Sequence, residues 1–157
     1  GPDAANWSER ILLWFGTLRM KTIERVCGAP LIYTDWGGAA RGVLKAWQEG
    51  NSVLALIDLP PPLVDRSAAV QFLGATAYFP PSLVELAHRQ QRPIHVFIGQ
   101  WNRDTLQPEL KVVSLDTRSA DASLQAAVTL LESAVQQRPG AWHGWGDAGL
   151  FFQRPAD

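Results

Sequence analysis

From Ser52 to Ile57 the chain runs Ser-Val-Leu-Ala-Leu-Ile, an apolar stretch with no polar alternation, closed by Asp58 and followed by Pro60-Pro61-Pro62. A strand that shows apolar side chains on both faces needs a cover on both, as a central strand of a helix-covered sheet has. The run is therefore expected to be the central strand of an α/β domain. Asp58 would then stand at its C-terminal end, where open α/β sheets present functional groups, and the proline triplet would begin a stiff extended loop.

The flanking sequence supplies elements for such a sheet. Ile11, Phe15, Leu18, Thr22 and Val26 recur at helical spacing, so residues 7–26 are expected to form an amphipathic helix. Asn6 and Glu9 have the spacing of a capping box at its start, and Cys27-Gly28-Ala29-Pro30 stops it. Leu31 to Thr34 reads as a short strand. A second helix follows Asp35–Gly38, carries Ala40, Val43, Leu44 and Trp47 on one face and ends at Gly50. Further on, Val70–Leu73 reads as a strand, and Pro80-Pro81-Ser82 opens a helix through about Gln91. Pro93–Gly99 and Leu110–Leu115, separated by the turn-forming Asn102-Arg103-Asp104, are expected to pair as an antiparallel hairpin. Asp121 or Ser119 can cap a last long helix lined by Leu124, Ala127, Val128, Leu131 and Val135, which Pro139-Gly140 ends. These elements predict a mixed central sheet of about five to six strands flanked by helices.

The 157 residues are enough for one domain with a real core, expected over 6–155. Gly1-Pro2 matches the pair that a site-specific protease leaves behind, so residues 1–5 are expected to be such a remnant or a disordered start. With 46% hydrophobic and 18% charged residues the chain is too apolar for disorder beyond its ends. A net charge of -1 and the lack of any Lys/Arg-rich run argue against nucleic-acid binding. The single Cys27 has no disulfide partner and no metal-ligand spacing around it, which fits a reducing compartment and a small buried hydrophobe. No metal or cofactor is expected. No apolar run reaches the roughly 18–20 residues of a membrane span.

The order of these segments resembles the lysophospholipid acyltransferase-like superfamily, the lipid A late acyltransferase (lauroyl/myristoyl transferase) branch in particular. The residues that carry the likeness are Val43–Gly50 before a strand ending in the acidic Asp58, Val70–Gly74, and Ser82–His88 after a proline. They continue with the alternating Pro93–Gln100 and a tail from Pro139-Gly140-Ala141-Trp142 through Trp145 and Phe151 to Arg154-Pro155. The resemblance implies transfer of a fatty acyl chain from a carrier-protein or CoA thioester to a lipid or sugar hydroxyl. It also implies a cytoplasmic location, peripheral at the inner face of the bacterial inner membrane, and leaves room for a partner chain. In that family a His with an Asp or Glu five positions on acts as general base on the acceptor hydroxyl. This chain has three histidines, and five positions beyond them stand Pro93, Gln100 and Ala148. A truncated domain whose His lies upstream is expected, with no catalytic residue here and this polypeptide inactive alone. The alternative is a non-catalytic acyltransferase-like binding or assembly module of a larger biosynthetic system.

Two residues are candidates for substrate binding. Asp58 could hold a cation or the acceptor, against the plainer role of capping a turn before Pro60. Arg66, the nearest basic residue in the following loop, could meet a phosphate or carboxylate, against the plainer role of a solvated loop cation. His95 is placed on a sheet face, and His88 on an exposed polar helix face. Gly37-Gly38 reads as a turn because no phosphate-loop lysine accompanies it. Seven Trp are a high count, and Trp14, Trp36, Trp47 and Trp101 suit either a core or a membrane interface.

Overall fold

The computed structural model describes residues 6–28, 30–32, 38–102 and 105–154. Its contacts divide the chain into two compact units, 1–53 and 54–157. The first unit holds helix α1, Asn6–Cys27, and helix α2, Ala39–Gln48. Gly28 at φ 64° ends α1 in the left-handed conformation that glycine adopts without penalty. The Glu24 carboxylate then accepts the Leu31 amide at 3.1 Å, drawing the chain back along the last turns of the helix. Val43 is the buried residue of α2, and Gly50 at φ 81° ends that helix. The strand expected at Leu31–Thr34 does not form at Leu31 or Ile32, which have no regular structure. Residues 1–5 and 33–37, with Arg103, Asp104 and Pro155, lie outside the described residues, as do the capping-box and Cys27 side chains.

In the second unit a 3-10 turn, Pro61–Leu63, forms where a stiff extended loop is expected, and a tight antiparallel pair follows, strands β1, Ala68–Phe72, and β2, Ala75–Phe79. Leu73 and Gly74 join them with φ of 53° and 79°, the two left-handed residues that a type I′ hairpin turn requires. Along both strands alternate residues are buried, so Val70 opposite Ala77, and Phe72 and Phe79, share the inner face. Helix α3, Ser82–Arg89, leads to the hairpin of strands β3, Ile94–Trp101, and β4, Pro108–Leu115. Helix α4, Ala120–Gln137, follows; of its two candidate caps Ser119 serves, its hydroxyl accepting the Ala122 amide at 3.2 Å. Two short 3-10 turns, Pro139–Ala141 and His143–Asp147, and the one-turn helix α5, Ala148–Phe151, form the Trp-rich end.

The core of this unit joins β1, β2, α4 and the tail. Phe72, Phe79, Val128 and Phe151 are fully buried, with Leu124, Val135 and Trp142 beside them. The rings meet edge to face or tilted: Phe72 lies 5.3 Å from Phe79 and 5.5 Å from Trp142, and Phe79 lies 5.0 Å from Phe151. Such geometry adds about 0.5–1.5 kcal/mol per pair beyond area burial.

Among the described residues the expected mixed central sheet does not form. The described strands form two separate two-stranded antiparallel sheets, β1–β2 and β3–β4, with no parallel pair. The apolar run 52–57 is no strand; its residues have no regular structure, and Leu54 and Leu56 are 70% and 67% exposed. The physical reason sheet β1–β2 stops at β1 is that α4 occupies its outer edge. The Gln125 side chain accepts the Gln71 amide at 2.8 Å and donates to the Gln71 carbonyl at 3.0 Å, standing in for the backbone of a further strand. One helical turn pair further on, Glu132 accepts the Leu73 amide at 3.1 Å. An edge covered in this way cannot template another strand. Gln125→Ala is expected to lower stability by roughly 1–2 kcal/mol, since both bonds vanish, and Gln125→Glu by at least as much, since it keeps the bond to the Gln71 amide but sets a carboxylate oxygen against the Gln71 carbonyl. Urea midpoints of the two variants check the order.

Candidate functional site

Asp58 does not end a strand, because the preceding run forms none. It is half-buried, and its carboxylate accepts the Trp142 indole N–H at 3.3 Å. This bond ties the loop after the apolar run to the Trp-rich tail, where Trp142 is buried against Phe72, Phe151 and Trp145. Indole is a donor only, and a buried one needs an acceptor. Gly144 allows the indole its position, because a methyl group there would overlap the Trp142 ring.

Arg66 is committed elsewhere. Its two guanidinium nitrogens donate to the two Glu85 carboxylate oxygens at 3.0 and 3.2 Å, a fork-to-fork pair joining the loop to α3. The structure thus gives Asp58 and Arg66 separate partners and does not assemble them into one binding group.

The histidines also have defined places. His88, expected on an exposed face, is half-buried between α3 and α4, its Nε2 2.6 Å from the Ser123 hydroxyl. A Ser–His pair at this distance has the outline of an activated nucleophile. Here the hydroxyl is 1% exposed and also bonded to Thr117, so no substrate reaches it and the group works as a pin between the two helices. His95 lies on a sheet face as expected, with Nδ1 2.9 Å from the hydroxyl of Ser114 across the hairpin. His143 is exposed. Among the described residues no three His, Cys, Asp or Glu side chains are grouped to hold a metal ion, and no helix is long and apolar enough to cross a membrane.

The surface best suited to a ligand is the open face of β3–β4. Residues directly opposite in an antiparallel pair share a face. The register therefore places His95 with Ser114, Phe97 with Val112, Gly99 with Leu110 and Trp101 with Pro108 on one side of the hairpin. Every residue in this column is exposed, Phe97 by 41%, Val112 by 58%, Trp101 by 64% and Leu110 by 66%. The opposite side pairs Ile94 with Leu115 and Val96 with Val113, all half-buried, and α4 contacts both strands. The hairpin is thus apolar on both faces and covered on one. The sequence carried a signal for this, since Phe97 lies between Val96 and Ile98 and breaks the polar alternation of a one-sided strand. From Lys111, exposed opposite Ile98, the other side turns polar, and the Glu109 carboxylate accepts Gln100 at 3.3 Å and Asn102 at 2.5 Å, fixing the strand ends before the turn.

No protein-family model matches the sequence, and no curated protein sequence matches it.

Two substitutions separate clamps from surface charges. Arg66→Ala is expected to cost less than ~1 kcal/mol, because a solvent-exposed ion pair is screened and costs side-chain entropy to hold. Gly144→Ala is expected to cost about 1–3 kcal/mol, because the added methyl displaces a buried indole. Thermal unfolding of both variants, with Trp142 burial followed by fluorescence, reads the difference.

Proposed function

We propose that this chain is the acyl-holding part of an acyltransferase-like protein, binding the fatty chain of a carrier-protein or CoA thioester destined for a lipid or sugar hydroxyl. The observation that carries the reading is the exposed column Phe97/Val112, Gly99/Leu110 and Trp101/Pro108, with the polar pair His95/Ser114 at one end. An eight-residue strand runs about 25 Å, comparable with an extended fatty chain. An apolar track with a polar end suits a ligand of that build: hydrocarbon along the track, thioester carbonyl toward His95 and Ser114. Gly99 keeps the middle of the track low, since no side chain rises there.

The reading is of binding without turnover by these residues. His88 is tied to a buried hydroxyl, and no histidine has an acid five positions on to orient it as a general base. The sequence segments that resemble the lipid A acyltransferases, Val70–Gly74, Ser82–His88, Pro93–Gln100 and the Trp-rich tail, supply the choice of ligand class, while the strand expected to end at Asp58 does not form and adds nothing to it. A second reading, an assembly module whose hairpin face is covered by another protein, is favoured by the outer edges of β3 and β4, which no described strand pairs.

Titration of the protein with a non-hydrolysable acyl-CoA analogue tests both. Saturable binding is expected that weakens about tenfold or more in Val112→Asp, a change of about 1.4 kcal/mol, while Arg66→Ala binds as the parent. Absence of binding, or equal binding by Val112→Asp, removes the acyl reading; self-association that Val112→Asp abolishes would instead support the assembly reading.

A further inference from the structure

Helix α1 carries a second apolar surface, in the other unit of the chain. Ile11, Phe15, Leu18 and Val26 follow the i, i+4, i+7 rhythm of one helix face and are 50%, 63%, 46% and 79% exposed. Trp14, 65% exposed, stands at the margin of this stripe. The polar residue within it, Thr22, donates its hydroxyl to the Leu18 carbonyl at 2.8 Å, so its polarity is closed on the helix itself.

The charges around the stripe say what covers it. By helical geometry Lys21 and Arg25 continue the margin on which Trp14 lies, and Arg19 stands on the other side of the stripe between Val26 and Ile23, which is itself 36% exposed. All three are exposed, and among the described residues none is in an ion pair. The nearby acid, Glu24, points away to the Leu31 amide. Two copies joined through such stripes would set cationic margins against each other, a repulsive arrangement. A negatively charged surface meets both parts of the pattern: the apolar stripe enters the acyl boundary while the long basic side chains reach back to the head groups. At 22 residues the helix is about 33 Å long, and it is not apolar enough to cross a membrane.

We propose that α1 is an interfacial helix that lies on an anionic lipid bilayer, with Ile11, Phe15, Leu18 and Val26 buried in it and Arg19, Lys21 and Arg25 on its phosphates. The inference rests on α1 alone and is separate from acyl binding by the hairpin. The test is co-sedimentation of the full chain with vesicles of phosphatidylcholine alone or mixed with phosphatidylglycerol. Binding is expected to the mixed vesicles, to fall at high salt, and to drop tenfold or more in the triple variant Arg19→Glu, Lys21→Glu, Arg25→Glu and in Phe15→Ser with Leu18→Ser. Both sets change exposed residues, and circular dichroism verifies that the helix content is kept. Amides of α1 are expected to gain hydrogen-exchange protection on the mixed vesicles. Val112→Asp is expected to bind the vesicles as the parent does. Equal binding to neutral vesicles, unchanged binding by the α1 variants, or loss of binding in Val112→Asp alone would overturn the proposal. So would stripe variants that only convert an oligomer to a monomer.

Discussion

The edge of β1 is where the second unit is decided. A two-stranded hairpin is marginal in water, and β1–β2 persists because α4 both roofs its inner face and satisfies its outer edge. Gln125 bonds the Gln71 backbone in both directions and Glu132 takes the Leu73 amide, so the helix is locked in register with the strand. That register brings Leu124 and Val128 over Phe72 and Phe79, and directs the end of the helix to where Trp142 and Phe151 complete the core. Polar pairing sets the position here, and apolar burial supplies most of the free energy.

This arrangement also keeps the second sheet off the β1 side of the first. Once a helix side chain plays the part of a strand, no crossover can add another on that side. The β3–β4 hairpin is then built as a separate body, packed on α4 by one face and bare on the other. The exposed column of aromatic and aliphatic residues is the face of that hairpin which α4 leaves bare.

The four longer helices and the β3–β4 hairpin were legible in the sequence because their signals are periodic: the apolar stripes of the helices, and two apolar runs around an Asn-bearing turn, whereas the one-turn α5 was not. β2 was hidden because its turn places Leu73 where a type I′ turn ordinarily shows Asn or Asp before Gly74, so nothing in the sequence signals a second arm. The run 52–57 misled for a related reason. An apolar stretch without alternation says that both faces want cover, but it does not say that a neighbour with a free backbone edge exists. Of the site, Asp58 was visible as a polar residue at a junction, while its partner Trp142 was not, being brought to it only by the closing of the tail. Arg66 was visible as the nearest cation, yet the nearer competitor Glu85 on α3 takes it. The hairpin column was half legible, since apolarity on both faces could be read but not which face α4 would leave bare.

Phe151 has a consequence for the order in which the second unit can form. Its ring packs on Phe79 and Trp142, so the aromatic core is assembled from segments far apart in the chain. During synthesis the β1–β2 hairpin emerges first and must hold Phe72 and Phe79 in water until Phe151 follows, a wait on the order of ten seconds at ordinary elongation rates. Contacts of such long range slow folding and leave apolar surface exposed in the interval. The aromatic core of the unit is therefore closed from its C-terminal side, and Phe72 and Phe79 reach full burial only once α5 has been made.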